Sequence, residues 1–535
     1  MASEFQPIPY DALVFDLGDV LFQWSSVTKT PISSKLLRTL LTTEIWFDYE
    51  CNRITQDQCY SRLAQRYSLK AEDIDEAFKQ AKASLTADYD LVNFIRKLKE
   101  DHSSLRIFAC SNISGPDFET LRSKPADWSI FEKIFTSAGV GERKPNLGIY
   151  RHVISATGID PRRAIFIDDK IENVFSARSI GFEGIVFDSK AAVKRSLLNY
   201  FYNPAERGNA YLQANKGKLH SVLGTTEEDA VLLHENFAQL LILEASGDRS
   251  LIHITEPDCE TGFWNFFHDP SNFSQDFKDF PCDLDTTSIA YTVLKGRATA
   301  PIASRVMDQI VKNLTNDGLP PAYFDSRRPR LCAGICACVA ALFYSYGRGS
   351  EIPQIVQWLY DSLLNRAYTD GTYYYVYPEY FLYAITRVLS STNDSVLHCK
   401  FTPILKECVR ERMGVTGDAL ALAMRIVVCN FVGIRNEIDL RTLRKLQCED
   451  GGWEMSWVYL APSKKLKVGN RGLATAVAIS AINGLPPKRL HLDQQAEPAL
   501  SGSFASDKDI RGSGSRSQIG VLLSFLTLPF SFVST

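Results

Sequence analysis

ALVFDLGDVLF, residues 12–22, sets the architecture of the first third of this 535-residue chain. An unbroken apolar run from Ala12 to Phe15 is followed at once by a carboxylate, Asp16, and a glycine, Gly18. A short apolar run bounded by a turn signal reads as a buried strand that delivers its acid to the strand's carboxyl end. Two later runs share that form: LRIFACSNIS (105–114), ending in Ser111 and Asn112, and RAIFIDDKIENV (163–174), ending in Asp168 and Asp169. Helical stretches such as PNLGIYRHVISATG (145–158) separate the strands. The alternation predicts a parallel sheet with its polar groups gathered at one end.

Those polar groups form a coherent chemical set. Asp16 is a candidate carboxylate nucleophile. Asp168 and Asp169 are hard oxygen donors suited to Mg²⁺, with Asp16 sharing the ion. Ser111, and Lys144 in GERKPNLGIY (141–150), can hold phosphoryl oxygens and stabilise transition-state charge. In this order the elements resemble the haloacid dehalogenase superfamily, mostly phosphatases. The resemblance implies a Rossmann-like α/β domain over residues 1–205, with a helical cap at about 22–95. It implies a catalytic set of Asp16, Ser111 and Lys144, and a metal set of Asp16, Gly18, Asp168 and Asp169. One position departs from the pattern. Most phosphatases of that superfamily carry a general-acid aspartate two residues after the nucleophile; here that residue is Gly18, and an acid follows at Asp19. DDKIE (168–172) also matches the DDxxE pattern of ionising terpene synthases, but at a strand end of this fold it reads first as the phosphatase metal site.

FYNPAERGNAYLQANKGKLHS (201–221) reads as a linker, and beyond it the texture changes. EEDAVLLHENFAQLLILEA (227–245), APIASRVMDQIVKNL (300–314), EIPQIVQWLYDSLLNRA (351–367) and GDALALAMRIVVCNFVG (417–433) repeat apolar residues at three and four. Serial helices of this kind predict an all-α unit, an α/α barrel or a solenoid.

DLDTTSIAYTVL (283–294) opens one of these helices. A helix needs one capping residue, worth about 1 kcal/mol; here four polar residues crowd the position. The DxDTT pattern resembles the protonating motif of class II terpene cyclases. That resemblance implies Asp285 as proton donor to an alkene, oriented by Asp283, Thr286 and Thr287. Such a donor must stay protonated near neutral pH, which burial among apolar groups favours. QCEDGGWEMSW (447–457) resembles the QxxDGGW element that ties helices together in these barrels, and its role reads as structural. Aromatic rings abound in DGTYYYVYPEYF (370–381) and at Trp264, Phe266, Phe267, Trp453 and Trp457. Ring faces stabilise cations, although most rings belong to the core. Arg327, Arg328 and Arg330 in FDSRRPR (324–330), with Arg471 in KKLKVGNRG (464–472), are candidates for a diphosphate site.

Bulk properties narrow the partners. Lys and Arg total 59 against 62 Asp and Glu, a net charge of −3 that argues against nucleic acid. The 12 cysteines are scattered without zinc-type pairs, and Cys332, Cys336 and Cys338 in RLCAGICACVAALF read as small buried hydrophobes. MASEFQPIPYDALVFDLG carries no signal-peptide pattern, so a cytoplasmic setting is expected. Residues 496–535 read as a linker and an apolar tail. The tail, IGVLLSFLTLPFSFVST, is interrupted by Pro529 and is too short for stable membrane insertion.

The pairing of the two halves resembles the drimane-type sesquiterpene cyclases that carry a haloacid dehalogenase-like domain, with the cyclase barrel over residues 215–495. The implied reaction is protonation of farnesyl diphosphate, closure of two rings to a drimenyl or albicanyl diphosphate, and Mg²⁺-dependent dephosphorylation to the alcohol. Two other readings stay open at this point: a cyclase whose N-terminal domain is inert, and a phosphatase whose helical domain is not catalytic.

Overall fold

The computed structural model describes residues 10–224, 226, 230–257, 261–268, 280–325, 327–461 and 466–484. The sequence reading of 496–535 and the lysines at 464 and 465 lie outside the described residues. The chain divides into two compact units, Gln6–Tyr202 and the residues from Asn203 onward.

Five parallel strands form the sheet of the first unit. From edge to edge they are Lys133–Thr136, Arg106–Ser111, Ala12–Phe15, Ala164–Asp168 and Glu183–Val186. Alternate residues feed two separate cores. Leu13, Phe15, Ile107, Ala109, Ile165 and Ile167 enter one; Ala12, Val14, Phe108, Cys110, Ala164 and Phe166 enter the other. A sheet covered on both faces explains why its strands read as unbroken apolar runs. The first strand lies in the middle. The chain winds outward to one edge, then crosses to the opposite side, and this reversal opens a crevice at the carboxyl ends. Asp16, Ser111 and Asp168 emerge there.

Helices Ser34–Leu40, Glu44–Glu50, Gln56–Tyr67 and Ala71–Ala83 form a cap with its own core around Trp46, Leu63 and Phe78. A short antiparallel ribbon, Phe22–Gln23 with Thr86–Ala87, closes the insertion. The cap therefore ends before residue 95. Helix Tyr89–Asp101, inside the expected range, sends Leu91, Ile95 and Leu98 into the core of the sheet instead.

The second unit is an α/α barrel. Helices Asn236–Ser246, Leu284–Val293, Ala333–Ser345, Pro378–Ser390, Ala419–Phe431 and Arg471–Ile482 form a ring in which each packs on the next and the last packs on the first. Nearly every residue of these helices is buried, so they are covered on all sides. Outer helices bury one stripe, as Ala300–Lys312 does with Ala303, Val306, Met307 and Ile310. Buried ion pairs cross between helices: Glu244 with Arg387 at 2.8 Å, Glu379 with Arg425 at 2.8 Å and Asp439 with Arg425 at 3.0 Å. Cys332, Cys336 and Cys338 are buried at the start of and within Ala333–Ser345, as expected of small apolar residues.

Two expectations are corrected. Pro204–Ala214, read as part of a linker, is a helix that packs on the last helix of the ring. Asn203 caps it, Pro204 takes its first turn, and Ala205, Gly208, Tyr211 and Leu212 are buried. Residues Val231–Leu233, read as the start of a helix, are a strand. They join Ser221–Gly224, Leu466–Gly469 and Trp457–Ala461 in an antiparallel sheet. The helix begins only at Asn236, behind Glu235, whose carboxylate accepts from the Ala238 N–H at 2.9 Å. Among the described residues no helix is long and apolar enough to cross a membrane.

Candidate active sites

In the α/β unit, Asp16, Asp168 and Asp169 bring carboxylate oxygens within 4.8 Å of one another. Lys144 is buried among them, its Nζ 3.0 Å from Asp16 Oδ1 and 2.5 Å from Asp168 Oδ2. Burial works to lower the Lys144 pKa, but the Asp16 and Asp168 carboxylates outweigh it and hold the ammonium firmly protonated. Burial, followed by the charge of Asp168, pushes Asp16 up to about 7 even with Lys144 opposing. Asp169 is also raised, chiefly by burial. Lys170 pairs with Asp169 at 2.6 Å, so two lysines face three crowded acids and leave them short of positive charge. The donors are hard carboxylate oxygens of the kind that Mg²⁺ takes, so the residues present fit that ion.

Neighbouring groups orient the cluster. Asp16 Oδ1 accepts from the Leu17 N–H at 2.7 Å. Asp168 Oδ1 accepts from Asn173 Nδ2 at 2.8 Å and from the Lys170 N–H at 2.9 Å. Asn112 clamps the backbone of Lys144: its Oδ1 accepts from the Lys144 N–H at 2.8 Å and its Nδ2 donates to the Lys144 carbonyl at 2.9 Å. Asn173 escaped the sequence reading because it sits in a helix after the strand and reaches Asp168 by folding back. Gly18 has no side chain to offer a metal and could give only its carbonyl. A Cβ placed on Gly18 would meet no atom within 4 Å. Asp19, the acid that follows, adopts a left-handed turn conformation with φ 57°.

In the barrel, the two acids of DLDTT divide their work. Asp283 is the helix cap: its Oδ1 accepts from the Thr286 N–H at 2.7 Å. Asp285 stands one half-turn on. Its Oδ1 accepts from the same Thr286 N–H at 3.1 Å, and its Oδ2 accepts from the Tyr375 hydroxyl at 2.6 Å. Thr286 therefore contacts both carboxylates through its backbone. The Thr287 hydroxyl donates to the Asp283 carbonyl at 2.6 Å and accepts from the Trp264 N–H at 3.0 Å, so it braces the helix start. Burial and the adjacent Asp285 push the Asp283 carboxyl well above the usual range. Two acids this close in a dry site cannot both ionise, so the pair keeps a proton.

Tyr375 was visible only as one ring in a tyrosine-rich stretch. It is fully buried and stacks on Tyr380 with centroids 3.5 Å apart, and Tyr459 lies 5.1 Å away. Phe237 packs 4.8 Å from Tyr459, and Phe266 5.6 Å from it. Tyr375 therefore ties Asp285 to a cluster of aromatic rings. Glu235, also missed, is buried close enough for Asp285 to act on its titration. Its pKa rises to about 7, mainly through burial, and Ser221 donates to it at 2.6 Å.

The arginines separate into two groups. Residues 322–324 pair with 282–284 through Leu284 N–H to Ala322 O at 2.9 Å and Phe324 N–H to Cys282 O at 3.2 Å, which brings the FDSRRPR loop next to the acids. Arg328 lies over the rings of Phe280 and Tyr323, 5.6 and 5.9 Å from their centroids; Arg330 lies 5.5 Å over Tyr373. Arg327 is exposed and pairs with Asp325 at 2.9 Å. Arg471 is placed elsewhere, donating to the Asp450 carboxylate at 2.6 and 2.7 Å and to the Trp453 carbonyl at 2.7 Å. That loop is structural in its contacts. Gln447 Nε2 donates to the Pro204 and Gly451 carbonyls, both at 2.8 Å, and Trp453 Nε1 donates to the Leu443 carbonyl at 2.7 Å. Gly451, at φ 89°, is tight against Arg207, whose carbonyl oxygen would lie 2.4 Å from an added Cβ.

Residues 205–346 match the family described as the sesquiterpene cyclase astC-like C-terminal domain. The chain is 42% identical over 479 residues to the drimenol cyclase drtB of Aspergillus calidoustus, covering 89% of this chain and 88% of that protein. It is 35% identical over 176 residues to the sesquiterpene phosphatase astK of Aspergillus oryzae, covering 33% of this chain and 89% of that protein. A HAD family enzyme of Bacteroides thetaiotaomicron, known from its crystal structure, is 20% identical. That match covers 33% of this chain and 92% of that one, at a TM-score of 0.28.

Proposed function

We propose, for a chain that belongs to the family of the drimenol cyclase drtB, that it converts farnesyl diphosphate into a bicyclic drimane-type alcohol in two stages. The barrel cyclises and the α/β unit dephosphorylates. The observation that carries the reading is the buried Asp283–Asp285 pair, held by Tyr375 among aromatic rings, in the same chain as a lysine-centred acid cluster.

In the first stage Asp285 gives its carboxyl proton to the distal alkene. The cation that forms is captured by the next alkene, and the second cation by the one after, so two carbon–carbon bonds close two rings. Loss of a proton from the bicyclic cation leaves a drimenyl or albicanyl diphosphate with its carbon–oxygen bond intact. Asp283 and Tyr375 hold the donor carboxyl in place, and the aromatic walls exclude water and face the cation. Arg328 and Arg330, beside the acids, are the groups best placed to hold the diphosphate.

In the second stage Asp16 attacks the terminal phosphorus. The phosphoryl group moves to the carboxylate, the bridging oxygen leaves with the organic fragment, and water then releases inorganic phosphate. Repetition on the monophosphate gives the alcohol. Lys144 and Ser111 hold the phosphoryl oxygens. Asp16, Asp168 and Asp169 would hold Mg²⁺, which when bound neutralises the acids and the phosphoryl charge. The setting we assign is the cytoplasm, where cysteines buried in the barrel remain thiols.

The test is incubation with farnesyl diphosphate and Mg²⁺, with and without added alkaline phosphatase, followed by gas chromatography–mass spectrometry. The wild type should yield bicyclic alcohol unaided. Asp16→Asn should yield it only after phosphatase treatment, and Asp285→Asn should yield none. Wild-type alcohol that appears only after phosphatase treatment would mean a cyclase with an inert α/β unit.

A further inference from the structure

Asp16 and Asp169 of the acid cluster, with Lys144 and Ser111, line a cavity of about 490 Å³ that extends beneath the cap. Its size lies within the range that buries a small organic ligand, about 300–1,000 Å³. The cap side is greasy: Trp24, Leu41, Trp46, Phe47, Phe78 and Leu85 line it. The charged groups on those walls are already engaged. Glu50 pairs with Arg143 at 3.0 Å and Lys82 with Asp117 at 2.7 Å. The Arg143 guanidinium lies 3.7 Å over the Phe47 ring, and Arg38 lies 5.1 Å over Trp24 while donating to Ser26 at 3.1 Å. A small polar phosphate would meet carbon on the cap side. A ligand with a phosphate at one end and a bulky hydrocarbon at the other would match both ends.

We propose that this cavity seats the hydrocarbon of a sesquiterpenyl phosphate while its phosphoryl group meets Asp16, so that the cap selects terpenoid over small polar phosphates. The proposal rests on the phosphatase reading above and adds the specificity-determining wall, with Trp24, Leu41, Phe47 and Leu85 as its half-buried members. Burying apolar surface supplies the selectivity.

The full chain with Mg²⁺ is assayed for phosphate release from farnesyl phosphate and, separately, from p-nitrophenyl phosphate. Leu41→Gln and Trp24→Ser should each raise KM for farnesyl phosphate about tenfold, as expected for loss of one large apolar contact. kcat and both constants for p-nitrophenyl phosphate should hold. Farnesol should compete with p-nitrophenyl phosphate on the wild type, a measurement that needs no variant to fold. Equal changes for both substrates, or no competition by farnesol, would overturn the cavity assignment while leaving the phosphatase reading intact. A wild type that releases phosphate from neither substrate would overturn the phosphatase reading, and the cavity assignment with it.

Discussion

Tyr375 donates its hydroxyl proton to Asp285 Oδ2 at 2.6 Å across 90 residues of sequence. This bond fixes one carboxyl oxygen of the proposed donor, leaving the other against the Thr286 N–H. Tyr375→Phe keeps the ring that stacks on Tyr380 and removes only this bond. A hydrogen bond to a charged or acidic group is worth about 1.5–3 kcal/mol. Bicyclic product should therefore fall roughly 10- to 100-fold in kcat. KM for farnesyl diphosphate and the product skeleton should hold. Unchanged kcat would remove Tyr375 from the positioning of the acid.

The raised Asp283 carboxyl gives a pH dependence with a definite sign. The pair donates while it keeps its proton, so cyclisation should persist at neutral pH and decline as pH rises through the pair's elevated titration. Asp283→Asn preserves a good helix cap and removes the neighbouring negative charge. Without the second carboxyl the elevated titration of the pair is lost, and the alkaline limb of the rate profile should move to lower pH. A limb that stays in place would show that the two carboxyls do not share a proton.

Gly18, where the superfamily pattern that the sequence resembles has a general-acid aspartate, leaves open space around an added Cβ. The diphosphate's first cleavage expels a phosphate, a good leaving group. The second expels an alkoxide, which needs a proton. Gly18→Asp should therefore speed release from sesquiterpenyl monophosphate by about tenfold or more, within the usual range for general acid catalysis, and change diphosphate cleavage little. Phosphate-release assays on the two substrates separate the effects.

Glu379 accepts from Arg412 at 2.8 Å and from Arg425 at 2.8 and 3.2 Å inside the barrel. Glu379→Ala strips the fully buried Arg425 of one of its two acids and should cost about 3–5 kcal/mol. Asp325→Ala, which removes the surface ion pairs with Arg327 and Arg328, should cost well under about 1 kcal/mol. Thermal and urea unfolding of the two variants should rank them in that order.

The sheet and its acids were legible because strands covered on both faces leave an unbroken apolar signature and deliver their next residues to one edge. Asp16, Ser111 and Asp168 needed no tertiary information. DLDTT was legible as an excess of polar groups over what a cap requires, and Asp283 does take the cap. Tyr375 was hidden because nothing local distinguishes it from its neighbours Tyr373 and Tyr374; only packing around the ring selects it. The helix at 204–214 was misread through its polar composition, although Asn203 and Pro204 are a start signal and its buried face is confined to Pro204, Ala205, Gly208, Tyr211 and Leu212. Residues 231–233 were misread because three apolar residues in a row suit a strand and a buried helix equally.

The seam of the helix ring has a consequence for biogenesis. Asn470 donates to the Ser221 hydroxyl at 2.9 Å across 249 residues, and Arg207 reaches Gln447 at 3.0 Å across 240. During synthesis the α/β unit has its whole sheet available once Val186 has left the ribosome. The barrel cannot close its circle until Arg471–Ile482 has emerged. Throughout that interval the nascent chain carries largely apolar helices, destined to be covered on all sides, with no final neighbour. The early helices, and Asn236–Ser246 above all, are the segments on which a chaperone would act during translation.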